Sequence, residues 1–273
     1  MPSESEIKNN IQAVFNEVAG LYDANHFFTL SAKNLIAHAD PDGFPNGSGR
    51  MLDVCSGTGI VAIQAARQYP GLKIDALDLS AGMLRQAEAK ATALGICNID
   101  FIVSDIDDFA ADAPAYDLIT CGYGLFFFPD MKKTFSKILS LLKPGGKLIF
   151  SSFTDQAFAP YRDMFLDALQ RYGIETPDSP ANRLQSAEQI TDLCRQCGIA
   201  DARVETGEIR YRVSTDDWWD LINSAAYKGL VNQLKEADRL DAFRQEHLSA
   251  IATLSGDGGI ELNADSYYCV IDV

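Results

Sequence analysis

The chain predicts an α/β fold, a parallel sheet covered by helices on both faces. Two observations carry this. Between residues 50 and 153, short apolar runs of strand character alternate with stretches of helical period. The first of these runs ends in a glycine-rich turn that opens a helix, Leu52-Asp53-Val54-Cys55-Ser56-Gly57-Thr58-Gly59-Ile60.

Taken in order, residues 3–20 form a helix. Ser3 and Glu6 fit a capping box, and Ile7, Ile11, Val14, Phe15 and Val18 follow helical spacing. A second helix runs from Phe27 to His38, and Asp40–Gly49, rich in Pro, Gly, Asp and Asn, is a linker. Strands follow at Met51–Cys55, Lys73–Asp78, Ile99–Ser104, Tyr116–Cys121 and Lys147–Phe153. Helices lie between them at Ile60–Gln68, Ala81–Leu94 and Met131–Leu142. Lys143-Pro144-Gly145-Gly146 is a turn that launches the fifth strand. Helices at Pro160–Tyr172 and Ala187–Cys197 come next, the latter stopped by Gly198, then a strand over Ala202–Val213. Thr215–Ser255 is mostly helical, Gly256-Asp257-Gly258-Gly259 breaks it, and Ser266–Val273 is a seventh strand.

Of the 273 residues, 47% are hydrophobic and 22% charged, a globular composition that excludes a disordered or fibrous chain. With 23 basic and 38 acidic residues the net charge is −15. That disfavours nucleic acid and an anionic membrane surface as partners. No apolar run reaches the ~18 residues of a spanning helix, so no integral membrane association is expected. Met1-Pro2-Ser3-Glu4-Ser5-Glu6 lacks the features of a signal peptide. The six cysteines read as free thiols in a reducing, cytoplasmic setting.

Three acids stand at three successive strand ends: Asp53 just before the glycines, Asp78, and Asp105. Ligands of open α/β sheets bind beyond such ends, and an acid about 20 residues past the glycines suits ribose hydroxyls. Gly57-x-Gly59-x-x-Ala62 also fits a dinucleotide fingerprint, so a nicotinamide-dependent oxidoreductase is one reading. Asp53 separates the two, because a carboxylate there opposes a pyrophosphate and suits a cation, such as the amine or sulfonium end of S-adenosyl-L-methionine.

Residues 50–153 resemble a class I S-adenosylmethionine-dependent methyltransferase domain. The resemblance rests on Leu-Asp-Val-Cys-Ser-Gly-Thr-Gly, Ala-Leu-Asp-Leu-Ser at 76–80, Ser-Asp-Ile at 104–106, Tyr116-Asp117-Leu118-Ile119 and Leu142-Lys143-Pro144-Gly145-Gly146. Phe15 through Tyr22-Asp23, and Gly124-Leu125-Phe126-Phe127-Phe128-Pro129-Asp130, are similar to the ubiquinone/menaquinone biosynthesis branch. One departure is Cys55, where the family ordinarily has the first glycine.

The resemblance implies a Rossmann-like, doubly wound, mostly parallel seven-stranded sheet with helical lid elements. It implies that Asp53 and the backbone of Gly57 and Gly59 hold the methionine end, and that Tyr22 closes over its carboxylate. Asp78 takes the ribose, Leu79 and Met83 pack on adenine, Asp105 accepts from its amino group and Ile106 lines the ring. Cys121 and Gly122 border the methyl group. The expected division is 1–49 as an N-terminal helical lid, 50–214 as the cofactor-binding core, 215–260 as a helical insertion over the acceptor, and 261–273 as the final core strand.

The expected reaction is methyl transfer to a small, largely apolar or aromatic acceptor, at carbon or oxygen in preference to nitrogen, with S-adenosyl-L-homocysteine as product. A non-catalytic cofactor-binding subunit is the remaining alternative, and an oligomer is left open. His26 and Tyr123 are the candidate catalytic groups; the other readings are a helix histidine and packing among Phe126–Phe128. Phe28, Tyr161, Trp218 and Trp219 are candidate acceptor contacts, or else they stitch lid helices to the core. Cys194-x-x-Cys197 lacks the partners of a zinc site. Asp105, Asp107 and Asp108 suggest magnesium only if adenine does not claim Asp105. No metal is expected.

Overall fold

The computed structural model describes residues 3–39, 48–111, 114–223, 227–255 and 259–273. Most of the linker (40–47) and of the glycine break (256–258) therefore lie outside the described residues. The helix α1 (Glu4–Val18) starts on the expected capping box: Ser3 accepts from the Glu6 backbone and the Glu6 side chain returns to Ser3. A 3-10 turn, Tyr22–Ala24, leads into α2 (His26–Ala37).

The core then alternates as β1 (Ser48–Val54), α3 (Ile60–Gln68), β2 (Gly71–Asp78), α4 (Ala81–Ala93), β3 (Ile99–Val103), β4 (Tyr116–Gly122), α5 (Met131–Ser140) and β5 (Leu142–Phe153). After α6 (Tyr161–Arg171) and α7 (Ala187–Gln196) come β6 (Arg203–Gly207) and β7 (Arg210–Val213). Next are α8 (Thr215–Asn223), α9 (Lys228–Glu236), α10 (Leu240–Ala252), β8 (Ile260–Asn263) and β9 (Ser266–Asp272).

Seven strands form one sheet in the order β3-β2-β1-β4-β5-β9-β6. Pairs from β3 to β5 are parallel, and β9 runs antiparallel to both β5 and β6. Order reverses between β1 and β4, and this switch point is where ligands of such sheets bind. Because side chains alternate across a strand, each face carries its own apolar layer. Leu52, Val54, Ile119, Leu148 and Phe150 pack with Phe135, Phe165 and Ile190 on one face. Met51, Leu118, Ile149 and Val270 pack with Leu35, Ile36, Ala62 and Ala65 on the other.

Two expectations need correction. Ala202–Val213 is two strands, not one. Buried Asp265 accepts from the Ile209 backbone (2.9 Å) and from Arg210 Nη2 (2.6 Å), and this draws the chain out of the main sheet. The second piece, β7, pairs with β8 in a separate ribbon that brackets α8–α10. The second correction concerns Lys143–Gly146, which lies inside β5 as a bulge. The β4–β5 register shifts between Tyr116 and Leu118, and the Gly145 N–H bonds the Val273 carbonyl at 2.6 Å.

Candidate active site

Two adjoining cavities open at the carboxyl ends of the strands. The larger spans about 780 Å³ of space, part of it open solvent. Its walls include Lys8 and Phe15 of α1 together with Asp78, Leu79, Met83, Asp105, Ile106 and Phe127. The smaller, about 460 Å³, lies between α2, α3 and the sheet and is lined by Phe28, Ser31, Asp53 and Ser151 among others. Tyr22, Cys55, Gly57, Gly122 and Tyr123 line both, so the two make one elongated space.

The acids are oriented by the chain's own donors. Asp53 is 1% exposed; it accepts from Ser56 Oγ and Thr120 Oγ1, each at 2.7 Å. Burial pushes its carboxyl up to about 6, against the lowering pull of these hydroxyls. A cation beside it would restore the charged form. Asp78 accepts from the Gly57 and Ser80 backbones (2.8 Å each), and burial raises its pKa too. Asp78 lines the larger cavity, where a carboxylate can accept further hydrogen bonds. Asp105 accepts from the Asp107 backbone at 3.0 Å and from Lys8 Nζ at 2.6 Å.

Helix α1 lies over this space. Lys8 also bonds Asp107 (2.7 Å), Gln12 donates to the Leu79 carbonyl (2.7 Å), and Asn16 accepts from Ser80 Oγ and the Gly82 N–H (2.8 Å each). These residues recur every fourth position, on one helix face. Burial works against the Lys8 charge, but the two carboxylates outweigh it and hold its pKa above the ordinary value. Just beyond the helix, Asp23 accepts from Thr58 Oγ1 and Lys90 Nζ, both at 2.6 Å.

Of the residues singled out from sequence, Tyr22, Phe28, Asp53, Gly57, Asp78, Leu79, Met83, Asp105, Ile106, Gly122 and Tyr123 line the cavities. Gly59 lines neither. It caps α3 at φ +75°, and a Cβ there would come within 2.8 Å of Ala87 Cβ, so its place is helix packing. Cys121 lines neither; it is fully buried beside Cys55, whose thiol its hydrogen bond and burial push up. His26 is exposed at the start of α2, near enough to Asp217 to join the Ser214 hydrogen bonds in holding that carboxyl low.

Tyr123 spends its hydroxyl inside the protein, donating to Ser31 Oγ and lying 2.7 Å from Ser266 Oγ, and burial raises its pKa. Tyr161, Trp218 and Trp219 line neither cavity. They are buried where α6 meets the insertion: Trp218 sits 6.0 Å from the Tyr161 ring and donates to His247 Nε2 at 3.0 Å. Their place is stitching. Cys194 and Cys197 face different neighbours, Cys269 Sγ at 4.0 Å and the Lys132 carbonyl at 3.7 Å.

Sequence reasoning missed Lys8, Phe15, Phe127 and Ser151 as wall residues. The apolar period of α1 flagged Phe15 as buried, and the aromatic run flagged Phe127 only as packing. Lys8 and Ser151 carry no local signal.

This fold and this site define a class I S-adenosylmethionine-dependent methyltransferase. A sheet with one antiparallel strand, an elongated space at its switch point and an acid waiting for a cation all fit that cofactor. The chain belongs to the ubiE/COQ5 methyltransferase family, whose model matches residues 3–172. It is 31% identical to the demethylmenaquinone methyltransferase of Renibacterium salmoninarum over 215 residues, 75% of this chain and 86% of that one. It is 28% identical to a malonyl-[acyl-carrier protein] O-methyltransferase of Priestia megaterium over 189 residues, 69% of this chain and 68% of that one. In fold it is similar to phosphoethanolamine N-methyltransferase 2 of Haemonchus contortus, with TM-score 0.57 and 18% identity. The match covers 100% of this chain and 60% of that one, so this chain spans little more than half of that enzyme's length. Among the described residues no helix is long and apolar enough to cross a membrane.

Proposed function

We propose that this methyltransferase acts on a small, largely apolar or aromatic acceptor, at carbon or oxygen. The observation behind this is the ring cluster at the strip shared by both cavities. Tyr123 stacks on Phe153 (4.2 Å) and Tyr22 on Phe28 (4.6 Å), with Phe27 and Phe158 packed behind. Among described residues lining the two cavities, Lys8 is the one cation, and it is paired with Asp105 and Asp107. An anionic acceptor such as a malonyl group would find no free cation there. A ring would find stacking surfaces.

Bound in this space, the cofactor supplies an electrophilic methyl group on a sulfonium. Asp53 would balance the positive charge of its amino-acid end, Asp78 would accept from the ribose hydroxyls, and Leu79, Met83 and Ile106 would offer apolar surface to the adenine beside Asp105. Tyr22 closes over the methionine carboxylate, and α1, as part of an N-terminal lid, keeps water out. The aromatic walls would hold and orient an acceptor ring beside the methyl group the cofactor would supply. His26 and Tyr123 are not assigned a proton-transfer role, the first for its exposure and the second for its committed hydroxyl.

The test is turnover of labelled cofactor against two acceptor panels, phenols and hydroquinones in one and short-chain carboxylic acids in the other. Label transfer to the aromatic panel is expected, and product mass spectra distinguish C- from O-methylation. Turnover confined to the acids would sink the proposal.

A further inference from the structure

One buried hydroxyl in the smaller cavity has no hydrogen-bond partner among the described residues. Ser151 stands at the carboxyl end of β5, in register with Gly122 on β4 and Tyr268 on β9. It is 1% exposed, and its hydroxyl has no hydrogen-bond partner among the described residues. Native proteins rarely leave a buried hydroxyl in this condition, and such a group calls for an explanation.

The polar wall around it is otherwise committed. Ser56 and Thr120 donate to Asp53, Thr58 donates to Asp23, and Ser31 is held by Tyr123 and Tyr268. None of these hydroxyls is the partner of Ser151. In front of it stands Gly122. A Cβ there would lie 3.3 Å from Val61 Cγ2 and 4.0 Å from Ser151 Oγ, so the missing side chain keeps open the approach to the hydroxyl.

We propose that Ser151 donates a hydrogen bond to the carboxylate of the cofactor's zwitterionic amino-acid end, while Asp53 faces its ammonium. The proposal rests on reading the two cavities as a single cofactor site. A ligand with its nucleoside end at Asp78 and Ile106 reaches the smaller cavity past Cys55, Gly57 and Gly122, which line its entrance. Whatever it presents there meets a buried acid and an unused hydroxyl. The acid matches a cation, and a hydroxyl donor matches an anion, a charge-assisted pairing stronger than a neutral one. An amino-acid end carries both charges. An acceptor lodged here instead would leave Asp53 without its counter-charge.

The test is calorimetric, on the full chain, with two ligands. S-adenosyl-L-homocysteine carries the amino-acid end. 5′-Deoxy-5′-methylthioadenosine keeps the nucleoside and thioether but lacks it. Ser151→Ala is expected to weaken the first by about tenfold, the loss of one hydrogen bond to a charged group. Binding of the second stays as in the unaltered protein, which also certifies folding. Equal weakening of both ligands, or of neither, overturns the assignment. So does unchanged homocysteine-nucleoside affinity with a raised KM for the acceptor, which would give the hydroxyl to the acceptor instead. If the unaltered protein binds neither ligand, the single-site reading itself falls, and the failure is visible before any variant is made.

Discussion

The strand ends and the α8–α10 insertion treat buried polar groups in opposite ways. At the strand ends, Asp53 is buried with its carboxyl raised to about 6, and Ser151 lacks a partner among the described residues. Cys55 and Tyr123 hold positive φ of 55° and 54°, a region that disfavours side chains. In the insertion, buried His247 accepts from Trp218, and the Phe243 ring meets Phe165 of α6 edge to face at 5.6 Å. The first region holds unfavourable arrangements that a ligand would relieve. The second, among its described residues, pairs its buried groups with its own side chains and those of α6. Substitutions should therefore separate binding from stability according to region.

The largest effect belongs to the packing region. Trp218 is fully buried, and Trp218→Ala is expected to destabilise the fold by about 3–5 kcal/mol, read as a fall in melting temperature. The variant should keep cofactor affinity within about twofold under conditions where it stays folded. A large loss of affinity in a folded sample would mean that the insertion takes part in the cofactor site.

Asp53→Asn sharpens the contrast from the other side. Ionised at neutral pH, the buried carboxylate costs the ligand-free fold up to about 3 kcal/mol, so the amide should leave the melting temperature equal or higher. Cofactor affinity should fall by about a hundredfold, because a buried charge loses its counter-charge. A variant that melts lower and binds normally would make Asp53 a structural acid.

Acid separates the two regions by sign. Burial lowers the His247 pKa from 6.5 to about 4, with the positive Arg171 nearby adding to the effect. Its contribution is complete above 6.5 and is lost as pH falls to about 4, up to about 3 kcal/mol. Asp53 runs the other way: its raised pKa contributes stability below 3.8 that is lost as pH rises through about 6. In wild type the two partly cancel. With Asp53→Asn in the background, the melting temperature should drop more steeply between pH 6.5 and 4 than in wild type. Cofactor affinity in wild type should weaken below about pH 6, where Asp53 takes up a proton.

The strand-end region was also the more legible in sequence. Glycines, acids and helix caps are local signals, so the element order and eleven of the wall residues could be read along the chain. What escaped depends on distant partners. The break between β6 and β7 is made by Asp265, and the depth of Trp218 by α6 and α10. The family match ends at Tyr172, before the insertion begins, so no motif guided the reading of that region. Ser151 is a serine after an apolar run, and only the folded sheet shows that its hydroxyl is alone.

The smallest expected effect tests whether α1 belongs with the binding region or is merely packed on it. Lys8 Nζ reaches Asp105 and Asp107 at 2.6 and 2.7 Å with its side chain 16% exposed. Lys8→Met keeps the aliphatic stem and removes the charge. Partly exposed ion pairs contribute modestly, about 1 kcal/mol or less, and Gln12 and Asn16 still tie α1 to α4 and the loop before it. The melting temperature should therefore barely move. If α1 opens to let cofactor in and product out, the latch matters to a rate. Dissociation of S-adenosyl-L-homocysteine, followed by stopped flow, should be severalfold faster in the variant. In wild type it should quicken with added salt, as screening weakens the ion pairs, and in Lys8→Met that salt dependence should flatten. Identical dissociation rates with identical salt response would remove α1 from the gate and place it with the insertion, as packing alone.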